Sequence, residues 1–156
     1  MRTRLLLLVS ILAAAPLHTS AAQRTARDSV VATIQRALDA MRARDTTGLG
    51  AAFDSTARLI GVPDASTATT RPRTASRFLA DIANVPLEKA FDERIYDPEV
   101  RIEGPVAQVW TYYTFREGKT FSHCGIDAFT LMRTGGTWRI VSWIWTMRRA
   151  GCTHTG

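Results

Sequence analysis

The order of the sequence patterns predicts an α+β fold, with helices in the N-terminal half and a long antiparallel sheet after them. Up to Pro86 apolar residues recur at helical spacing, whereas from Phe91 onward they alternate with polar residues. The Gly135–Gly136 pair, between two alternating runs, gives the strongest hairpin signal in the chain. With 156 residues, 46% of them hydrophobic, the sequence suits one domain and is too apolar for a disordered chain.

The first 22 residues have the pattern of an export signal. Arg2 and Arg4 precede an apolar run over residues 5–15, and small residues follow. Because the run is shorter than the ~20 apolar residues of a membrane-spanning helix, we interpret it as a signal peptide rather than an anchor. Cleavage after Ala22 then predicts a single domain over residues 23–156 of a periplasmic or secreted protein, with no membrane association after cleavage.

Two helices are predicted before the first strand. The first has a cap at Asp28 or Ser29 and a stripe of apolar residues at helical spacing, formed by Val30, Val31, Ile34, Ala37, Leu38 and Met41. The second is short, is capped within residues 45–47 and runs through Phe53.

A short strand, a loop and a third helix complete this half of the chain. We predict the strand over residues 58–62 and a mobile loop, rich in Thr, Ser and Ala, over residues 63–71. Pro72 suits the first turn of the third helix, and Pro86 closes it.

Turn signals divide the second half into strands. They are predicted over residues 91–96, 100–103, 106–115, 121–133 and 138–147. The turns between them fall at Asp97–Pro98, Gly104–Pro105, Glu117–Gly118 and Gly135–Gly136.

These turns give a predicted strand register, which decides the side chains that share a face. One face then carries Gln108, Trp110, Tyr112, His123, Asp127, Phe129, Ser142 and Ile144. The opposite face carries Val109, Thr111, Tyr113, Ile126, Ala128, Val141, Trp143 and Trp145. Because both faces are rich in large apolar groups, the pattern leaves open which of them lines a cavity.

Asp127 is the candidate that carries most chemical information. It lies in an apolar strand, where desolvation raises the pKa of a carboxyl group toward the range of a general acid or base. His123 and Tyr112 on the same predicted face could donate or accept a proton beside it, and the predicted ligand-binding residues are Gln108, Trp110, Phe129 and Ser142. The alternative is structural, with Asp127 accepting hydrogen bonds that fix the sheet.

Other charged and aromatic residues have simpler interpretations. Glu93, Arg94 and Arg101 fit a surface charge ladder across a hairpin. The four tryptophans fit a core or an interface, although aromatic walls also suit an apolar ligand.

The two cysteines, Cys124 and Cys152, are predicted to form a disulfide, since an exported protein folds in an oxidising compartment. Two unpaired buried thiols are the alternative. His123 and Cys124 do not supply the four ligands of a structural metal site, and as strand neighbours they point to opposite faces, which argues against a nucleophilic pair.

Charge and motifs narrow the range of partners. The formal net charge of +6 comes mainly from arginines scattered along the chain, so we predict no nucleic-acid partner, which would need a focused basic surface. The chain also has no phosphate-binding loop, zinc-protease helix or serine-nucleophile elbow, and we predict no metal and no cofactor.

Three stretches resemble exported bacterial members of the nuclear transport factor 2-like superfamily: "RIEGPVAQVWTYYTF", "HCGIDAFTLMRTGGTWRIVSWIW" and "RRAGC". The resemblance covers about residues 28–152. It implies a cone-shaped domain, with three N-terminal helices on a curved antiparallel sheet, a cavity between them, and often a dimer through the outer sheet face. Members include isomerase-like and cyclase-like enzymes, dehydratases and non-catalytic binders, and an acidic residue in the cone of such enzymes would correspond to Asp127.

Three functions follow as hypotheses. The first is an exported domain that binds a small, largely apolar molecule between helices and sheet. The second is a cofactor-free lyase or isomerase with Asp127 as general base. The third is a protein-interaction module that uses a tryptophan-rich outer face.

Overall fold

Helices and strands follow one another in the order of the predicted α+β fold. A computed structural model describes residues 17–64 and 70–155. The elements are α1 (Leu17–Ala43), α2 (Thr46–Ala52), β1 (Phe53–Pro63), β2 (Arg73–Thr74), α3 (Ala75–Ala83), β3 (Phe91–Glu103), β4 (Val106–Glu117), β5 (Thr120–Thr134) and β6 (Thr137–Met147). A single 3₁₀ turn over Leu87–Lys89 precedes β3.

The six strands form one curved sheet in the order β2-β1-β6-β5-β4-β3. Strands β3 to β6 are joined consecutively and run antiparallel, whereas β1 joins the edge of β6 in parallel. The buried residues of the three helices and of one face of the sheet form a single apolar cluster. We call this face the inner face and the opposite one the outer face.

Helix α1 begins earlier than its predicted cap. It already includes Leu17, and the predicted apolar stripe, from Val30 to Met41, lies on its buried side. The predicted start at Asp28 or Ser29 was therefore wrong, because alanine and glutamine upstream are good helix formers that extend the helix. Most of the predicted signal peptide, residues 1–16, lies outside the described residues, and the predicted cleavage after Ala22 falls within α1. Over the described part of the chain, no helix has both the length and the apolar character needed to cross a membrane.

Elements between α2 and β3 also differ in their bounds from the prediction. Phe53 begins β1 instead of ending α2, and β1 extends to Pro63. Pro72 lies before β2, and α3 begins later, at a cap where the Thr74 hydroxyl accepts the main-chain N–H of Arg77 at 3.2 Å. Part of the predicted mobile loop, residues 65–69, lies outside the described residues.

The predicted turn at Asp97–Pro98 is a bulge inside one strand. Strand β3 is continuous, and its register with β4 shifts between Tyr96 and Glu99. Asp97 takes a φ of +48°, in the left-handed region that Asp tolerates better than most residues. The sequence signal for a turn was real, but the chain bends there without reversing.

The hairpin between β5 and β6 confirms the double-glycine turn. Thr134 pairs with Thr137, and both glycines between them have positive φ. Leu131 also opposes Ile140 as predicted, but the register then shifts, so that Asp127 faces Trp145 rather than Ile144. A bulge adds one residue to one strand, and this moves all later partners by one position.

The β4–β5 register differs from the prediction by three residues. Glu117 pairs with Thr120, which moves the turn to Gly118–Lys119, and a further shift follows at Phe115, which pairs with His123. Because three is an odd number, the face of each β4 residue from Val106 to Phe115 is reversed relative to β5. The predicted face was therefore wrong: Gln108, Trp110 and Tyr112, together with Ser142 and Ile144 of β6, lie on the outer face.

The structure contains the predicted disulfide between Cys124 and Cys152, with Cα atoms 5.8 Å apart. It holds the C-terminal segment, residues 148–155, against the outer face. There the ring of His154 stacks on Tyr96 at 4.2 Å, and the Tyr112 hydroxyl donates a hydrogen bond to the carbonyl oxygen of Thr153 at 3.1 Å. This segment covers part of the face that the resemblance associates with dimerisation.

Replacing both cysteines by alanine is expected to lower the free energy of unfolding by about 3–4 kcal/mol, because the unfolded chain regains the entropy that the cross-link removes. Urea denaturation of oxidised and variant protein measures the difference. Oxidised protein unfolded in the presence of a thiol reductant should match the variant. A difference below about 1 kcal/mol would contradict a stabilising role for the bond.

Candidate functional site

A cavity of about 210 Å³ lies between the helices and the inner face of the sheet. Seven elements contribute to it, from α1 to β6, and most of its wall is aromatic. Its lining consists of Met41, Arg73, Phe78, Asp81, Phe91, Glu93, Phe115, His123, Trp143, Trp145 and Met147. A few polar groups in an apolar wall are typical of small-molecule sites.

The tryptophan wall is built by β6 against α3 and β1. The Trp143 ring lies 5.0 Å from Phe129 and 5.5 Å from Trp145, measured between ring centroids. Gly61 of β1 makes room for Trp145, since a Cβ atom at Gly61 would lie 2.9 Å from the indole ring. The two indole planes are inclined by 54°, so the packing fixes an angled aromatic wall of the cavity.

Arg73 supplies the positive charge at the edge of this wall. Its guanidinium lies over the rings of Phe78, at 5.7 Å, and Trp145, at 5.6 Å, and contacts the Asp81 carboxylate at 3.4 Å. These contacts neutralise Arg73 and hold its planar group against the aromatic surface.

Glu93 is the carboxyl group that lines the cavity, and it is not part of a surface charge ladder. Its side chain is only 5% exposed, because Phe91, Glu93 and Ile95 alternate toward the inner face of β3. Arg94 points the other way and contacts Asp92 at 3.3 Å. The interpretation of Glu93 as a surface residue was therefore wrong.

Asp127 lies on the inner face of β5, fully buried behind the cavity wall. Its Oδ1 accepts the indole N–H of Trp143 at 2.8 Å. Glu93 is close enough to hydrogen-bond it. Yet among the described residues neither Asp127 Oδ2 nor Glu93 Oε1 has a hydrogen-bond partner. Two buried carboxyl oxygens thus lack a donor at the same place.

Burial dominates the ionisation of this pair. It raises the pKa of Asp127 to about 7, although the hydrogen bond from Trp143 and the adjacent carboxyl group of Glu93 act in the opposite direction. Burial also raises the pKa of Glu93 well above its usual range, and the nearby charge of Asp127 raises it further. The pair therefore retains a proton at a pH where ordinary carboxyl groups have lost theirs.

His123 lines the same cavity from β5. Its Nδ1 lies 3.0 Å from the Ser122 hydroxyl, and its ring stacks on Phe115 at 4.7 Å. Burial, and then the charge of Arg149, lower the pKa of His123, while Glu117 raises it. The imidazole is therefore neutral at neutral pH and has both a donor and an acceptor nitrogen.

Only part of the predicted site comes together. Asp127, His123 and Phe129 share the inner face, where Phe129 packs beneath Trp143. Gln108 and Trp110, which is 55% exposed, line a shallow outer groove. Tyr112 lies under the C-terminal segment. Ser142 is on the outer face as well, so these four residues do not share the cavity with Asp127.

The prediction missed Glu93, Arg73 and the tryptophan wall. Trp143 and Trp145 were placed on the opposite face from Asp127 by the incorrect register. The alternation around Glu93 could have revealed it, because that residue takes an inward position between two apolar neighbours. Trp110 is the one tryptophan exposed among the described residues, so the tryptophan-rich outer face of the third hypothesis was wrong.

Comparison with known proteins agrees with the predicted superfamily. Residues 25–146 match the sequence profile of a family described as "Putative lumazine-binding". A search of curated proteins finds no match.

Three solved structures resemble the chain in fold, and those from Novosphingobium aromaticivorans and Streptomyces avermitilis are described as nuclear transport factor 2-like. A protein from Novosphingobium aromaticivorans is 16% identical, with a TM-score of 0.66 over 90% of this chain and 94% of that one. One of unknown function from Mycobacterium tuberculosis is 13% identical, with a TM-score of 0.69 over 85% and 77%. One from Streptomyces avermitilis, described as a "putative dehydratase", is 15% identical, with a TM-score of 0.64 over 82% and 99%.

Proposed function

The chain belongs to the family described as "Putative lumazine-binding", with a nuclear transport factor 2-like fold, and from this premise we propose that it binds a small planar molecule in the aromatic cavity. The observation that carries the proposal is the cavity itself, in which aromatic walls surround the polar groups of Glu93, His123 and Arg73. Its volume of about 210 Å³ lies below the ~300–1,000 Å³ of sites for drug-sized ligands. A one- or two-ring compound suits this space.

The walls favour a flat ring. Trp143 and Trp145 both line the cavity and can contact a ring bound there, and aromatic pairs contribute about 0.5–1.5 kcal/mol beyond the area that they bury. Glu93 and His123 supply hydrogen-bonding groups in the same cavity. Lumazine, a two-ring heterocycle with ring N–H and carbonyl groups, matches both requirements and is the natural probe.

The binding test is a titration of lumazine, followed by the anisotropy of its own fluorescence. We expect saturable binding, and we expect Trp145→Ala to weaken it at least tenfold because that variant removes one aromatic wall. Trp110→Ala is the matched control, since its side chain lies on the outer face, and its affinity should stay within about twofold of the unmodified protein. Absence of saturable binding, or equal losses in both variants, would contradict the proposal.

A catalytic role is the second candidate, supported by the raised pKa values of the two carboxyl groups beside the cavity. In this hypothesis the protein is a cofactor-free lyase or isomerase, but Glu93, and not Asp127, contacts the substrate. Asp127 would act through Glu93. The two functions differ in what happens to the ligand: a binder returns it unchanged after incubation, whereas an enzyme converts it. Full turnover by a Glu93→Gln variant would dismiss this candidate.

Export and dimerisation are further proposals. The sequence pattern of residues 1–22 supports a periplasmic or secreted protein, and N-terminal sequencing of the mature chain should then begin at Gln23. Exposed Trp110, Ile144 and Met132 support a homodimer through the part of the outer face that the C-terminal segment leaves uncovered. A monomeric mass in sedimentation at micromolar concentration would contradict that dimer.

A further inference from the structure

The two buried carboxyl groups beside the cavity lack the donors that such groups need. Glu93 is 5% exposed and Asp127 is 0% exposed. Within the described residues, Oε1 of Glu93 and Oδ2 of Asp127 are buried without any hydrogen-bond partner. A buried oxygen left without a donor is destabilising, so the arrangement needs a donor that satisfies both oxygens.

No cation in the described part of the chain neutralises this pair. Arg42 donates to the carboxylates of Asp92 and Asp39, at 2.7 and 2.8 Å, and reaches Glu93 only at its main-chain oxygen, at 3.3 Å. Arg73 contacts Asp81.

The remaining titratable groups nearby do not supply a positive charge either. Tyr113 donates its hydroxyl to the carbonyl oxygen of Thr146 at 2.7 Å, and burial and the two carboxyl groups keep its pKa raised. His123 is neutral at neutral pH because burial lowers its pKa. Arg148 lies over the ring of Tyr112, which is on the outer face.

Two carboxylates in contact cannot both ionise inside an apolar wall, because their repulsion adds to the cost of burying each charge. One proton placed between the two unpartnered oxygens satisfies both of them. We infer that Glu93 and Asp127 share a single proton, and that the remaining negative charge makes the cavity select an uncharged ligand with an N–H or O–H donor and reject anions. The selectivity rests on the proposed binding function; the shared proton does not.

Glu93 is the member of the pair that determines specificity. It lines the cavity, so a donor on the ligand can reach its carboxyl group, while Asp127 stays behind it. Asp127 is a positioning residue: the indole N–H of Trp143 fixes one of its oxygens and leaves the other toward Glu93. An anionic group in the same space would meet a like charge at low dielectric, where repulsion between like charges is strong.

The raised pKa values of both carboxyl groups agree with a retained proton. The test of the proton needs no ligand. At pH 7 the exposed carboxyl groups are ionised, so infrared spectroscopy should detect the carbonyl band of a protonated carboxyl group only from this pair. Glu93→Gln should remove the band, because the amide N–H then satisfies Asp127. Glu103→Gln, at an exposed position of the same strand, should retain it. Absence of the band in the unmodified protein would overturn the shared proton.

Selectivity is tested with nicotinamide and nicotinate, which match in size and differ in charge. Ligand-observed NMR should show at least about tenfold tighter binding of nicotinamide. The double variant Glu93→Gln/Asp127→Asn should reduce this preference to about threefold or less. Both substitutions are needed because either carboxylate alone would keep one negative charge. Glu103→Gln should keep the full preference, and circular dichroism verifies that each variant is folded.

The outcomes separate the two proposals. Equal affinity for the two probes, tighter binding of nicotinate, or failure of both to bind would overturn the selectivity. If lumazine and both probes fail to bind while the infrared band is present, the binding function is wrong and the shared proton stands. If the double variant does not fold, the infrared comparison and the probe ratio of the unmodified protein still decide the inference.

Discussion

Replacing Gly125 by alanine is expected to lower the free energy of unfolding by about 3 kcal/mol or more, or to prevent folding. Gly125 lies on the inner face of β5, opposite Tyr113. A Cβ atom at this position would overlap the main-chain carbonyl group of Thr146. Because this neighbour is backbone, the clash cannot be relieved by a side-chain rotation.

The same carbonyl oxygen accepts the hydrogen bond of the buried Tyr113 hydroxyl, at 2.7 Å. Moving β6 away from Gly125 would therefore also leave that hydroxyl without its acceptor, which adds to the loss. The strand that moves carries Trp143 and Trp145, so the cavity wall would change with it.

Urea denaturation measures this effect, with Gly104→Ala as the matched control. Gly104 has a φ of +53°, and a Cβ atom added there would meet nothing within 4 Å. Its substitution carries only the conformational cost of a left-handed residue, about 1–2 kcal/mol. If Gly125→Ala lowered the free energy of unfolding by less than about 1 kcal/mol, the close approach of Gly125 to the Thr146 carbonyl group would be contradicted.

The carboxyl pair is expected to make the protein lose stability as the pH rises from about 4 to 7. The folded-state pKa values of Glu93 and Asp127 are raised, so the native protein holds protons that the unfolded chain has already released in this range. For each proton that the native protein holds in excess of the unfolded chain, the free energy of unfolding falls by about 1.4 kcal/mol per unit rise in pH. The contribution of the pair is fully present below the unfolded pKa values and disappears above the folded ones.

Other groups act in the opposite direction. The pKa of Asp92 is lowered by Arg42 and Arg94 against the effect of burial, so its contribution is lost as the pH falls below its unfolded value. The pKa of His123 is lowered by burial, and stability falls as the pH decreases through its unfolded value, near 6.5. The pH dependence of the unmodified protein must therefore be compared with that of a variant that disrupts only the pair.

Glu93→Gln supplies this comparison, with Glu103→Gln as the exposed control. The difference in stability between Glu93→Gln and the unmodified protein should shift in favour of the variant as the pH rises from 5 to 8, while the control should show no such trend. Urea unfolding at several pH values measures both series. Parallel pH profiles for the unmodified protein and Glu93→Gln would contradict the account of the pair.

The fold class could be predicted because it depends on local patterns. The apolar stripe of α1, the change of period at Phe91 and the two glycines of the last hairpin each identify an element without knowledge of its partners. The disulfide could be predicted because the chain has only two cysteines and its N-terminal pattern indicates export to an oxidising compartment. The helix start at residue 28 failed because helix formers upstream outweighed the local cap signal.

The site could be predicted only in part, because it depends on strand register. The bulge in the β5–β6 pair, the register shift at Phe115 and the turn moved to Gly118–Lys119 leave little local signal, yet each changes the residues that face each other. An odd shift exchanges the two faces, which placed Trp110 and Tyr112 beside Asp127 instead of Trp143 and Trp145. Asp127 itself was identified because a carboxyl group in an apolar strand is recognisable without the register.

Native mass spectrometry of the protein purified from its own host tests directly whether the aromatic cavity is a binding site. We expect a retained small, uncharged molecule that is lost from the Trp145→Ala variant and kept by the Trp110→Ala variant. A bare chain that also takes up no lumazine at saturating concentration would contradict the claim that the aromatic cavity is a binding site.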